Sequence, residues 1–311
     1  MIRRLVLAVA VMLTAAACGS GPSVTEDGLT KITVGVIPIV DVAPVYLGVQ
    51  KGFFAEQRLE LELQTAQGGA AIVPGVVSGQ FQFGFSNTTS LLLASAQGLP
   101  VKAVASGVAS TGEPGKDFGA VVVAADSPIK TARDLAGKKV AVNTLRNINT
   151  TTVGNVVAAD GGDPSAITYV ELPFPDIAPA IARGDVDAGQ LVEPFLTIAT
   201  GQGDRQVVSN YAGTAPGLTV GLYFTGSQQD QAVVRAFTTA ITRSMEYASA
   251  HPDEARAALS TYTKIDPAVQ AALVLPKWPS TVDRASVQRL ADLAQKDGLL
   301  PRAPDLNVLL P

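Results

Sequence analysis

The sequence predicts an α/β protein with mostly parallel sheets and helices on both sheet faces. Short β-rich runs alternate with helical stretches that end at glycine, the rhythm of βαβ units. That rhythm breaks over residues 110–119, STGEPGKDFG, and then resumes as a second series. From Gln228 onward the spacing is helical and strand material is absent, so these helices must pack on sheets already built.

The chain opens with Arg3 and Arg4, followed by an apolar run over residues 5–13. A run of this length fits a secretory leader and falls well short of the ~20 residues that span a bilayer. Ala15, Ala16 and Ala17 meet a signal peptidase's demand for small side chains, and Cys18, the only cysteine, follows at once. This arrangement resembles the lipid-acceptor box of a bacterial lipoprotein, with Ala15 where leucine is usual. Gly19, Ser20, Gly21 and Pro22 supply a flexible tether. The expectation is a leader at 1–17, lipidation at Cys18 and a tether over 18–29. A thiol used in this way leaves no cysteine for a disulfide, a redox pair or a metal site.

The strands and helices then follow in order. KITVGVI reads as a buried strand, and APVYLGVQKG as a helix with Pro44 in its first turn and Gly52 just past its end. LELELQT is a strand, AAIVPGVVSG a helical segment interrupted by Pro74, FQFGFS a strand, TTSLLLASAQG a helix and VKAVAS a strand. After the break come AVVVAA, ARDLAGKKVAV, TTVGNVVAADGG, ITYVELP, IAPAIARGDVDAGQLVEPF and RQVVS. In the last third, Val234, Phe237, Ile241, Met245 and Ala248 recur at helix spacing, ahead of PDEARAALSTY, PAVQAALVL and RASVQRLADLAQKDG.

Composition narrows the function. Apolar residues make up 47% of the 311, ample for real cores, and removing the leader leaves material for about two domains at ~150 residues each. Loss of Arg3 and Arg4 leaves 21 basic against 27 acidic residues, a net charge of −6. Such a surface argues against nucleic acid and against electrostatic adhesion to anionic lipid. The single histidine, His251 in SAHPDEA, fits a turn or helix cap better than catalysis, and it cannot furnish a His-rich metal site. GQGDRQ lacks the third glycine of a dinucleotide fingerprint. No cofactor and no metal are expected.

GVIPIVDVAPVYLGVQKGFFAEQRLELEL resembles the opening of the solute-binding proteins for aliphatic sulfonates, nitrate, taurine and thiamine-precursor pyrimidines, the NMT1/THI5-like family. The likeness continues through VVSGQFQFGFSNTTSLLLASAQGLPVKAVA, DSPIKTARDLAGKKVAV and LPFPDIAPAIARGDVDAGQLVEPF. It implies a type II periplasmic-binding-protein fold, two α/β domains with a ligand cleft between them. Domain 1 would combine residues 30–122 and 223–311, and domain 2 would be 123–222. It also implies a monomeric, lipid-anchored receptor at the outer face of a bacterial cytoplasmic membrane or in the periplasm. Such a receptor hands a small, anionic organic solute to an ABC permease and its ATPase. The alternatives are an enzyme on the same fold, acting on a pyrimidine or related metabolite, or an extracellular sensor domain. Pyrimidine-forming relatives carry a cysteine-rich motif that this chain lacks, and a sensor would need a fused signalling region.

Open α/β sheets bind ligands beyond the carboxyl ends of their strands, where helix N-termini present free N–H groups. Three loops fit: Asp41, Val42 and Ala43; Ser86, Asn87 and Thr88; and Thr144, Arg146, Asn147, Asn149 and Thr150, with Thr151 beside them. Asp41, Ser86 and Thr88 either cap helices or touch the ligand, roles that coincide at a helix start. Arg146, set in an uncharged polar run, is the expected partner of an oxyanion. Gly68 lets backbone approach a ligand or turns the chain. Glu193 stands in LVEPF, with Val192 where the family often has an aromatic residue. It either accepts a hydrogen bond from the ligand or faces the hinge and tethers the two domains.

Overall fold

The computed structural model describes residues 24–311. The expected leader, Cys18 and the first part of the expected tether lie outside the described residues. Residues 24–29 turn back onto the first strand: the Thr25 N–H donates to the Leu29 carbonyl at 2.8 Å, and the Leu29 N–H to Thr25 Oγ1 at 3.0 Å.

The first series runs β1 (Thr30–Val36), α1 (Ala43–Gln50), α2 (Phe53–Glu56), β2 (Leu59–Thr65), α3 (Gly69–Val77), β3 (Phe83–Asn87), α4 (Thr88–Ala96) and β4 (Val101–Ala109). Pro44 starts α1, and Gly52 takes the left-handed conformation, φ 77°, that separates α1 from α2. The second series is β5 (Gly119–Val123), β6 (Lys139–Val142), α5 (Ile148–Ala159), β7 (Thr168–Glu171), α6 (Phe174–Arg183), β8 (Ala188–Val192), α7 (Phe195–Gly201), β9 (Arg205–Val208) and α8 (Asn210–Thr214). β10 (Thr219–Gly226) follows. The chain ends in α9 (Gln231–Ala250), α10 (Pro252–Leu259), α11 (Pro267–Ala272), α12 (Arg284–Lys296) and α13 (Leu306–Leu309).

Two five-stranded sheets form two α/β lobes, with orders β2-β1-β3-β10-β4 and β7-β6-β8-β5-β9. The expectation of mostly parallel sheets requires correction, because both sheets are mixed. In the first, β1 pairs parallel with β2 and β3, while β10 runs antiparallel to β3 and β4. In the second, β6 pairs parallel with β7 and β8, while β5 runs antiparallel to β8 and β9. The cause is topological. The reversed strand in each sheet is the one that arrives from the other lobe, and it inserts between two strands that would otherwise be parallel neighbours.

The C-terminal helices pack on sheets already built. Phe237, Ile241, Met245 and Ala248 of α9 are buried, and the Phe237 ring stacks on Phe83 of β3 at 3.9 Å. His251 lies at the junction of α9 and α10, exposed, with Nδ1 2.9 Å from the Tyr247 carbonyl.

Candidate functional site

The lobes meet where strands end and helices begin. β3 runs into Asn87, whose Oδ1 accepts from the Ser90 N–H at 2.9 Å and so caps α4. On the opposite lobe, the chain leaves β6 through Asn143 and Thr144 and enters α5 at Asn147. Asn147 Oδ1 accepts from the N–H groups of Asn149 at 2.9 Å and Thr150 at 3.3 Å. The Thr150 hydroxyl in turn accepts from the Asn147 N–H at 3.2 Å, closing a capping box.

These asparagines form a buried amide network. Asn143 Oδ1 accepts from Asn147 Nδ2 at 2.9 Å and from Asn149 Nδ2 at 2.8 Å, and Asn147 Nδ2 also reaches Thr144 Oγ1 at 2.8 Å. The Tyr211 hydroxyl donates to Asn149 Oδ1 at 2.6 Å. Bonds cross between the lobes at this point, from the Ile148 N–H to Asn87 Oδ1 at 3.3 Å, from Gln67 Nε2 to the Asn143 carbonyl at 3.2 Å and from Asn143 Nδ2 to the Gln67 carbonyl at 3.4 Å. A small cavity of about 30 Å³ lies here, lined by Asp41, Phe85 and Asn87 from one lobe and Asn143, Asn147 and Asn149 from the other. Its apolar wall includes Ile37, Ile39 and Phe174, and the same three line an adjoining cleft of about 350 Å³ with Pro38 and Phe195. The Phe174 and Phe195 rings stack at 5.8 Å.

Asp41 is the one ionisable group lining the cavity, and none of the lining residues is basic. It is 3% exposed, and its Oδ1 has no hydrogen-bond partner among the described residues. Burial pushes its carboxyl up to about 7, against the pull of its own backbone N–H and with a smaller push from Asp117. Its backbone carbonyl accepts from the Trp278 indole N–H at 3.1 Å.

The cavity therefore gathers Asp41, Asn87, Asn147 and Asn149 of the expected residues. The others serve nearby or elsewhere. Val42 and Ala43 are core residues at the start of α1. The Thr88 hydroxyl donates to the Thr219 carbonyl at 2.7 Å, tying α4 to β10. Ser86 is buried against Gly69. Gly68 packs against Thr144 across the lobe boundary, where an added Cβ would lie 2.8 Å from Thr144 Cγ2. Arg146 adopts a left-handed backbone, φ 55°, and its Nη2 donates to the Leu299 carbonyl at 3.2 Å. With Thr150 it lines a different pocket, of about 690 Å³, beside Tyr169, Lys296 and Asp297. Glu193 is 1% exposed, and both of its carboxylate oxygens are hydrogen-bonded. Its carboxylate accepts from the Thr197 N–H at 3.0 Å, the Thr197 hydroxyl at 2.8 Å and the Val274 N–H at 3.1 Å. Burial raises its pKa, and these three bonds oppose the rise. Of its two expected roles, the geometry provides the tether.

Residues missed by sequence reasoning include Asn143, the hub of the amide network, and Phe174 and Phe195, aromatic walls where Val192 offers none. Asp117 was also missed. It is 1% exposed at the crossing into β5, and its carboxylate accepts from the Ser110 hydroxyl at 2.6 Å and from the N–H groups of Thr111 at 2.9 Å, Phe118 at 3.0 Å and Ala212 at 3.0 Å. It thus joins both connections between lobes. Among the described residues, no group of three or more His, Cys, Asp or Glu side chains is placed to hold a metal, and no helix is long and apolar enough to cross a membrane.

Comparison with known proteins places this geometry. A protein of Bacillus subtilis described as a "Putative aliphatic sulfonates-binding protein" is 23% identical over 270 residues, covering 84% of this chain and 79% of its own. The 4-amino-5-hydroxymethyl-2-methylpyrimidine phosphate synthase of Aspergillus parasiticus is 30% identical over 149 residues, 47% of this chain and 41% of its own. Among solved structures, the alkanesulfonate-binding protein SsuA of Xanthomonas axonopodis pv. citri, bound to MOPS, superposes with a TM-score of 0.75 at 20% identity, covering 90% of this chain and 97% of that one. That likeness establishes the periplasmic-binding-protein fold. The family profile described as NMT1/THI5 like matches residues 39–255, well over half of the chain, and the protein belongs to that family.

Proposed function

We propose that this protein is a lipid-anchored extracytoplasmic receptor that captures a small solute between its lobes and presents the closed form to an ABC permease and its ATPase. The observation that carries the reading is the polar cavity between the lobes, walled by capped helix starts from both, beyond the carboxyl ends of β3 and β6. The expected lobes, residues 30–122 with 223–311 and residues 123–222, shift by a few residues on this reading, because β5 (Gly119–Val123) pairs wholly in the second sheet and β10 (Thr219–Gly226) wholly in the first, which puts the boundaries just before these two strands. A ligand bound to one wall recruits the other, and its stronger affinity for the closed state drives closure. Cys18 anchors the leader-processed protein to the membrane.

The expectation of an anionic sulfonate or carboxylate rests on Arg146 and on relatives named for sulfonates. With Arg146 lining the 690 Å³ pocket, the small cavity holds no cation to receive an anion. Native mass spectrometry of protein purified from the cell envelope tests the receptor reading. The expected result is one small molecule per chain, released chemically unchanged. A converted product, or a chain that neither carries nor takes up any solute, overturns it.

A further inference from the structure

Asp41 has no structural reason to be acidic. Its Oδ1 is sealed from solvent without a partner, and it lies at the wall of the interlobe cavity, not in a salt bridge or at a cap. A buried, unpartnered carboxylate is costly unless something with N–H donors and positive charge meets it. The Tyr223 hydroxyl, on the β10 neighbour of Phe85, is likewise buried without a partner, and the two rings meet edge to face at 5.3 Å. Every other polar side chain lining the cavity is a neutral amide. The cavity opens through Ile37, Ile39 and Phe174 toward the larger cleft, where Pro38 and Phe195 complete an apolar surface.

We infer that the solute is an apolar-bodied cation, a protonated primary amine or an amidinium, whose nitrogen head binds Asp41 and whose body lies against Phe174 and Phe195. This rests on the receptor reading and specifies its ligand. The carboxylate takes two N–H bonds from the head, and Asn149 Oδ1, which among the described residues accepts only from the Tyr211 hydroxyl, offers a further acceptor. The cation removes the penalty of an unpaired buried charge, so binding of the head and closure of the lobes reinforce one another.

Matched probes test the inference on the full chain by calorimetry: benzylamine against benzyl alcohol, benzamidine against benzamide, and taurine against ethanesulfonate. The expected result is binding of the benzyl cations with at least tenfold preference over their neutral partners. In Asp41→Asn, which keeps the shape and removes the charge, affinity for the cation falls roughly 10- to 150-fold and the preference disappears. Tyr223→Phe, which retains the ring, provides a second variant and weakens the cation several-fold. Ethanesulfonate binding as tightly as taurine, with the benzyl cations unbound, overturns the cation assignment and leaves the receptor reading standing. Cation affinity unchanged in Asp41→Asn also overturns it. Failure of all six probes overturns the assignment, and if native mass spectrometry also finds no solute, the receptor reading falls with it.

Discussion

At the scale of single residues, Asp41, the proposed partner of the solute, also acts on folding. Its carboxyl titrates at about 7 in the folded protein against an ordinary 3.8, so between those values the native state holds a proton that the unfolded chain has lost. Its contribution to stability is therefore full below about pH 4, declines as pH rises through about 7 and is flat above, a total on the order of 4 kcal/mol. Asp41→Asn removes this titration. Urea unfolding of ligand-free protein from about pH 4.5 to 8 should show the variant gaining on the wild type as pH rises, then holding a constant lead. A pH-independent difference would mean that Asp41 keeps an ordinary pKa. Arg146 makes the contrast. Its guanidinium serves the Leu299 carbonyl outside the cavity, so Arg146→Ala should shift solute affinity by less than about threefold, while loss of the bond costs about 1 kcal/mol of stability. A tenfold loss of affinity in calorimetry would restore it to the site.

At the scale of elements, the asparagine caps show what could be read in the sequence. Asn87 and Asn147 were legible as polar residues between a strand and a helix, but the sequence reading offered the cap role to Asp41, Ser86 and Thr88, and the structure gives it to the two asparagines. Asn147→Ala should cost about 1 to 2 kcal/mol in thermal or urea unfolding, since α5 loses its cap and Asn143 and Thr144 lose a partner. Asn147→Asp retains the cap oxygen and should recover part of the loss. If the alanine variant melted like the wild type, the cap would carry no weight. Asn143 escaped notice because it closes a strand instead of opening a helix, and its role exists only once α5 has folded back over it. Arg146 stands apart from this cavity for a related reason: a left-handed backbone turns the side chain toward Leu299. The β10 sequence TVGLYFTG and the reversed strands were hidden as well. Hydrophobic pattern reports that a strand is buried, and direction is decided by which lobe the chain comes from.

At the scale of the whole molecule, a cavity of about 30 Å³ has room for little more than a water, so on the receptor reading the lobes part to admit a solute. The closed form is held by contacts that opening must break. Gln67 Nε2 donates to the Asn143 carbonyl at 3.2 Å, the Ile148 N–H reaches Asn87, and the backbone at Gly68 lies against Thr144. Asp117 lies at the crossings and binds both connecting segments, whereas Glu193 links α7 of the second lobe to Val274 of the first. Gly68 is the sensitive point of the seam. Its φ is −170°, a backbone any residue adopts, so glycine is required there only by proximity. A Cβ would meet Thr144 Cγ2 at 2.8 Å and Asn143 Nδ2 at 3.0 Å, and both neighbours are fixed by the amide network. Gly68→Ala should therefore obstruct closure while leaving each lobe folded. In small-angle X-ray scattering the wild type should become more compact when solute is added, whereas the variant should stay extended, bind at least tenfold more weakly and melt within a few degrees of the wild type when ligand-free. A variant that closes like the wild type would show that the seam yields at Thr144, and that closure is governed by the cavity and hinge alone.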